Sequence, residues 1–191
     1  MKQSRIMVVD DEPITRFDIK EILKEKNYQV VGEAKNGEEA IKEAYELDPD
    51  LILMDIKMPK VDGIKASSII KEFSSCSILL LTAYSDDEYI DQAKKAGINA
   101  YVVKPVNEKE LNPAVEIALQ QRANHLNMHE KIGKLEKKIK ERKIIEKAKG
   151  YLMDQQGFTE EHAYRCMQKQ SMEHHIPLIE IANKILASHS K

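Results

Sequence analysis

Apolar positions follow two rhythms along this chain. Up to about residue 121, short continuous apolar runs alternate with stretches in which apolar residues recur every three or four positions. The runs are Ile6–Val9, Gln29–Gly32, Leu51–Met54, Ile78–Leu81 and Ala100–Val103. Four of them predict buried strands, and Gln29–Gly32, the least apolar, predicts an edge strand. The periodic stretches predict helices: Ile14, Phe17, Ile22 and Leu23; then Ala40, Ile41, Ala44 and Tyr45; then Ile64, Ser67, Ser68 and Phe73; then Ile90, Ala93 and Ala96, ending at Gly97. A fifth helix begins at Asn107, with Glu110 three residues on as a capping box. Pro113 inside it is expected to bend the helix or delay its regular start. Five strand–helix units in succession mean a parallel sheet with helices on both faces, an α/β fold.

From about Arg122 the rhythm is helical only. Met128, Ile132, Leu135 and Ile139 keep 4-3-4 spacing, a short apolar seam in a highly charged stretch. It suits a coiled coil that pairs two chains and equally a solvated single helix; Gly133 weakens it, and His125 and Arg142 break it at its ends. Three more helical patterns follow. The first carries Ile144, Ile145, Ala148 and Leu152 and stops near Gly157; Thr159 N-caps the second, with Ala163 and Met167. Pro177 suits the first position of the third, where Leu178, Ile181, Ala182, Ile185 and Leu186 make a full apolar stripe. So small a helical module needs support from the preceding long helix or from a second copy. The organisation expected is 1–121 for the α/β domain, 122–140 for a helical, coiled-coil linker and 141–191 for a three-helix all-α domain.

Charge sharpens this division. Residues 1–121 hold 16 Lys/Arg against 23 Asp/Glu, and residues 122–191 hold 14 against 9, so an acidic head precedes a basic tail within a net charge of −2. A basic tail points toward nucleic acid, though ordinary surface variation gives the same balance. No apolar run approaches the length of a membrane span, and the N-terminus turns acidic too soon for a signal-peptide core. Two cysteines, Cys76 and Cys166, make no disulfide framework, and the cytoplasm is the expected compartment.

Chemistry gathers at the strand ends. Asp10 and Asp11 follow the first strand, Asp55 the third, Thr82 the fourth and Lys104 the fifth. In an open α/β sheet those ends line the ligand crevice. Three carboxylates there repel one another unless a cation neutralises them, and oxygen donors of this kind suit Mg²⁺ rather than zinc. A carboxylate beside that ion can attack a phosphoryl group, while a lysine and a threonine contact the phosphate. Any one of the five has a bland reading, as a cap, a loop residue or a solvated cation; the set in register with the repeat does not.

The stretches VVDDEP at 8–13, LILMDIKMPKVDG at 51–63, LLLTAY at 79–84 and YVVKPV at 101–106 resemble the receiver domain of bacterial two-component response regulators. The resemblance implies a flavodoxin-like doubly wound five-stranded parallel sheet, with Asp55 accepting phosphate from a sensor histidine kinase. It implies Mg²⁺ held by Asp10, Asp11, Asp55 and the backbone carbonyl of Lys57. Thr82 and Lys104 would contact the phosphate, Tyr101 would act as an aromatic switch, and Lys104–Pro105 would be a cis peptide. The aspartyl-nucleophile dehalogenase class needs a second Asp two residues on, where this chain has Lys57, and is rejected.

A DNA-reading helix would present donors to base edges, yet the last helix, IPLIEIANKILASHS, carries only Lys184 as a fixed cation. The cations lie instead on the linker and the first tail helix: Lys137, Lys138, Lys140, Arg142, Lys143, Lys147 and Lys149. Gly150 within that helix costs about 1 kcal/mol against Ala. A close approach of RNA backbone or of another helix explains it; so does plain tolerance. His162, His174 and His175 read as solvated residues rather than a metal or phosphotransfer site, and Cys166 as packing. The segments ERKIIEKAKGYLM at 141–153, AY at 163–164, SM at 171–172 and LIEIANKIL at 178–186 resemble the ANTAR domain, an RNA-binding antitermination module. It carries Met167–Gln168 where the family commonly has Leu-Arg.

The two resemblances together imply a regulator rather than an enzyme, in which phosphorylation drives a homodimer that holds hairpins in nascent RNA and prevents transcription termination. The candidate RNA contacts are the exposed cations Arg142, Lys143, Lys147 and Lys149, with Gly150, and then Arg165 and Lys169 of the second tail helix. Tyr151 and Tyr164 are candidates for base stacking, although helical spacing favours a core or half-buried packing role for both. Met128, Ile132, Leu135 and Ile139 are the candidate dimer seam. A DNA-binding transcription factor and a protein-interaction output are the rival readings.

Overall fold

A computed structural model describes residues 3–83 and 100–187. Along the chain run β1 (Arg5–Val9), α1 (Pro13–Glu25), β2 (Gln29–Ala34), α2 (Gly37–Leu47), β3 (Leu51–Asp55), α3 (Gly63–Phe73), β4 (Ser77–Ala83) and β5 (Tyr101–Lys104). Three helices follow: α4 (Glu108–Gln156), α5 (Glu160–His174) and α6 (Leu178–Ala187). The helix expected around Ile90–Gly97 lies outside the described residues.

The strands pair in parallel in the order β2-β1-β3-β4-β5. β2 is an edge strand, which is why its sequence is the least apolar of the five. Strand side chains alternate between faces, so one sheet buries two cores. Met7, Val9, Ile52, Met54, Ile78 and Leu80 pack with Ala40, Ala44, Ile64 and Ile70 of α2 and α3. On the other face Ile6, Val8, Leu51, Leu53, Leu79 and Leu81 pack with Ile19 and Leu23 of α1 and with Leu111, Val115 and Ala118 of α4.

Helix ends follow the caps. The Asn36 side chain accepts from the Glu39 N–H, and that of Asp62 from the Lys65 N–H. The Asn107 side chain accepts from the Glu110 N–H at 3.1 Å, and Thr159 caps α5 as expected. Pro177 sits one residue before α6, where its carbonyl accepts from Glu180 and Ile181.

Three local readings need correction. The exposed side of α1 carries Ile14 and Phe17, 76% and 58% exposed, and its buried side is Ile19 and Leu23. Periodicity finds apolar stripes but does not weigh which stripe meets the sheet. Tyr45 and Phe73 likewise stay exposed and meet each other edge-to-face at 5.7 Å. Finally, the fifth helix, the linker and the first tail helix are one helix, α4, of 49 residues, with Pro113 inside it.

The chain forms two compact units, Met1–Asn127 and Met128–Lys191, and α4 contributes to both. In the second, Ala148 and Leu152 of α4, Ala163 and Met167 of α5 and Ile181 and Ala182 of α6 make a small core, edged by Ile144, Ile145 and Leu186.

Candidate functional site

The first unit brings the predicted acidic residues together. Asp10 leaves β1 and Asp55 ends β3; these strands are neighbours in one register, so the two carboxylates converge at the carboxyl edge. Carboxylate oxygens of Asp10, Asp11 and Asp55 lie within 4.8 Å of one another. Asp10 is fully buried, Asp55 is 5% exposed, and Asp11 faces solvent. Lys104, at the end of β5, reaches across with its Nζ 2.7 Å from Asp10 Oδ2 and 2.7 Å from Asp55 Oδ1. Glu12, Lys57, Thr82 and Lys104 line a cavity of about 230 Å³ over Asp55. Lys104–Pro105 is cis. Tyr101 is 52% exposed.

Electrostatics marks Asp55 as the unsettled member. Burial pushes its carboxyl up to about 6; Lys104 works against this, and Asp10 and Asp11 add to it. Burial alone would lower the Lys104 ammonium, but its bonds to Asp10 and Asp55 carry it above the ordinary lysine value. One ammonium facing three carboxylates leaves negative charge uncompensated, and a hard divalent cation with oxygen ligands fits such a donor set.

Several supporting residues escaped the sequence reading. Gly63 opens α3 directly beneath Asp55, where a Cβ would come 1.9 Å from the Asp55 carbonyl oxygen. Only glycine permits that approach, and its N–H donates to the Ile56 carbonyl at 2.9 Å. The Arg16 guanidinium donates to the Asp10 carbonyl at 2.7 Å, and Asp10 Oδ1 accepts from the Glu12 N–H at 2.9 Å. Glu12 and Gly63 were visible as the fifth residue of VVDDEP and the last of LILMDIKMPKVDG. Arg16 gave no local signal.

In the second unit the predicted cations separate. Lys149, expected to be exposed, is 7% exposed: α4 turns it toward the start of α5, with Nζ 2.8 Å from both Glu146 and Glu160 and 5.9 Å from the Tyr164 ring centroid. The hydrogen bonds it donates to Glu146 and Glu160 hold its ammonium above the usual value. Arg142, Lys143 and Lys147 are exposed as expected. Arg165 pairs with Glu161 at 2.7 Å and Lys169 with Glu173 at 3.7 Å. A Cβ on Gly150 would meet nothing within 4 Å, so no helix of this chain approaches it among the described residues. Met128, Ile132, Leu135 and Ile139 are all exposed, at 46% to 62%. His174 and His175 are exposed at the end of α5, His175 in the left-handed region with φ 53°.

The first unit is thus of the doubly wound α/β class, with an acidic crevice at the strand ends, and a small helical module follows it. Residues 6–116 match the response regulator receiver domain and residues 133–186 the ANTAR domain. A transcriptional regulatory protein of Mycobacterium tuberculosis, PdtaR, is 36% identical over 95% of this chain and 89% of its own length. A LuxR-family two-component response regulator from Aurantimonas is 33% identical, covering 63% of this chain and 88% of that one, with a TM-score of 0.59. CheY in a CheX–CheY–BeF3–Mg²⁺ complex from Borrelia burgdorferi is 25% identical, covering 59% and 86%, with a TM-score of 0.56. The chain belongs to the response regulators, with a receiver domain followed by an ANTAR domain. Both domains are regulatory, and together they make the protein a phosphorylation-dependent, RNA-binding antiterminator. Receiver domains bind Mg²⁺ through such an acidic pocket, here the Asp10, Asp11 and Asp55 cluster. Among the described residues no helix is long and apolar enough to cross a membrane.

Proposed function

We propose that Asp55 is the phosphoacceptor, and that the domains divide as 1–121, 122–140 and 141–191. The observation that carries the site is the convergence of Asp10, Asp11 and Asp55 within 4.8 Å under the Lys104 ammonium. A sensor histidine kinase supplies the phosphoryl group. An Asp55 carboxylate oxygen attacks phosphorus, the bond to the kinase imidazole breaks, and its electron pair leaves with that nitrogen.

Asp10, Asp11, Asp55 and the Lys57 carbonyl would hold Mg²⁺, which when bound offsets charge on the phosphoryl oxygens. Asp10 is kept in place by the Glu12 N–H and, through its backbone, by Arg16. Lys104 exchanges its contact with Asp55 for one with a phosphoryl oxygen. The Thr82 hydroxyl, now donating to the Ala83 carbonyl at 3.1 Å, turns to the phosphate as well. Its movement makes room for the exposed Tyr101 ring to turn in, which reshapes the face beside β4 and β5. Two chains then pair through that face or through Met128, Ile132, Leu135 and Ile139, so two output modules hold RNA hairpins at raised effective concentration. The protein works in the cytoplasm on nascent transcripts.

The test is to label the full chain with acetyl phosphate and Mg²⁺ and to locate the acyl phosphate by borohydride trapping and peptide mapping. Label on the Asp55 peptide, lost in Asp55→Asn, is expected. Undiminished base-labile label in that variant would show that another carboxylate is the acceptor.

A further inference from the structure

The two flanks of α4 in the second unit are not electrostatically alike. On one flank Arg142 and Lys138 border a groove of about 940 Å³, together with Glu141, Glu146, Glu160 and Glu161. Four carboxylates beside these cations cancel the field that would draw a polyanion, and Lys149 is already held by two of them. The other flank has a different make-up. Lys140, Lys143 and Lys147 are exposed, and none of the three forms an ion pair among the described residues. They recur at intervals of three and four, so they share one side of the helix over about 10 Å of axis. Glu136 and Asp154 bound the stripe at its two ends.

Gly150 extends this stripe, seven residues after Lys143. Ile144, Ile145, Ala148 and Leu152 turn toward the core, and by helical periodicity Lys143 and Gly150 lie opposite them. A side chain at Gly150 would meet open space, so nothing within the chain requires glycine there, although glycine weakens a helix. What glycine provides at an outward position is a notch in which another backbone can approach the helix closely.

We infer that the RNA backbone lies along the Lys140–Lys143–Lys147 stripe and reaches the helix at Gly150, and that the Arg142–Lys149 flank is not a phosphate-binding surface. This assignment rests on the RNA-binding reading of the tail. Three flexible ammonium groups serve as point charges for successive phosphates, and the notch admits sugar or phosphate against the helix. Lys149 becomes a positioning residue that fixes the start of α5 on α4.

The test uses the full chain with Mg²⁺ and beryllofluoride, and as probe a pool of RNA hairpins with one fixed stem and a randomised loop. Binding is measured at several salt concentrations, with helix content and thermal midpoint recorded for each variant. Substituting Gln at Lys140, Lys143 and Lys147 together is expected to weaken binding at least tenfold and to flatten the salt slope by about 2, near 0.7 for each lost phosphate contact on single strands. Lys138→Gln with Arg142→Gln should stay within about twofold of the parent, on the argument that rim charges among carboxylates add little. Gly150→Ala should keep or raise the thermal midpoint and still weaken RNA binding.

A triple variant that binds like the parent, or a Lys138/Arg142 variant that loses more than the triple, overturns the assignment while leaving RNA binding in place. A Gly150→Ala variant that loses self-association but no RNA affinity gives the notch to a second copy of the chain and also overturns it. A parent with no salt-dependent affinity for the pool overturns the RNA reading, and the assignment with it.

Discussion

The receiver and the tail handle charge in opposite ways. In the receiver, Asp10, Asp55 and Lys104 are drawn out of water into contacts of 2.7 Å, and the strand register decides who meets whom. In the tail most cations stay in solvent along α4, apolar residues of the seam stay there too, and among the described residues only the cation Lys149 is buried. A buried polar cluster is costly unless its members are paired, so its geometry is specific. An exposed stripe has no such constraint; it recognises through field and access, and it waits for a partner to complete it. The contrast teaches that the input chemistry resides in one folded unit, whereas the output depends on surfaces whose complement is another molecule.

Four experiments press on that contrast. The largest effect is expected from the unpartnered seam. Changing Ile132, Leu135 and Ile139 together to Asn should weaken the beryllofluoride-induced dimer by two orders of magnitude or more, given roughly 1.5–3 kcal/mol for each large aliphatic side chain buried. Sedimentation equilibrium reads this, and a triple variant that dimerises like the parent moves the interface to the receiver face.

Next comes the link between the two regions. Lys104→Ala should retain Mg²⁺ binding and still take up phosphate, yet lose most of the phosphorylation-driven gain in dimer, a change of about tenfold or more. Normal pairing on phosphorylation would mean that Lys104 has been given the wrong role.

A smaller effect tests whether the buried cluster is strained without metal. The Asp55 carboxyl titrates at about 6 in the fold against an ordinary 3.8, so the folded chain binds the proton more tightly than the unfolded one. Its contribution to stability is therefore complete below about pH 4 and is lost as pH rises to about 6. In chelator, Asp55→Asn should gain on the parent across that interval and keep a constant advantage above it. The shift caps this near 3 kcal/mol, and roughly 1–2 kcal/mol is expected. Adding Mg²⁺ should stabilise the parent and erase the advantage. Parallel urea midpoints from pH 4 to pH 8 decide it; curves that do not separate would refute the strain.

The smallest effect concerns Lys149, a buried cation of the tail. Lys149→Met should cost at most about 1 kcal/mol, because both carboxylates that hold it are themselves exposed. The salt slope of RNA binding should not change. A slope reduced by about 0.7 would return Lys149 to the RNA surface.

What was legible in the sequence was whatever depends on local order. Strand runs and βα alternation give a parallel sheet, and once the sheet is parallel every strand's carboxyl end faces the same edge. Asp10, Asp11, Asp55, Thr82 and Lys104 could therefore be placed at one crevice from their positions alone. Caps at Asn107 and Thr159 were legible for the same reason, since a cap bonds within its own turn.

Tertiary structure decided what depends on neighbours distant in sequence. It chose Ile19 and Leu23 over Ile14 and Phe17 as the packed side of α1, because the sheet covers only one stripe of a helix that carries two. It made Gly63 obligatory through an Asp55 carbonyl that no sequence pattern announces. It joined three expected helices into α4, since nothing between Arg122 and Gly157 forces a break and each turn added to an existing helix costs less than starting a new one. Finally, it sorted seven similar cations: Lys149 was buried by Glu160, eleven residues away across the Gly157 turn, while Lys140, Lys143 and Lys147 were left in water. Charge is written in the sequence, but whether a charge is spent inside the fold or kept for a partner is fixed only when the helices meet.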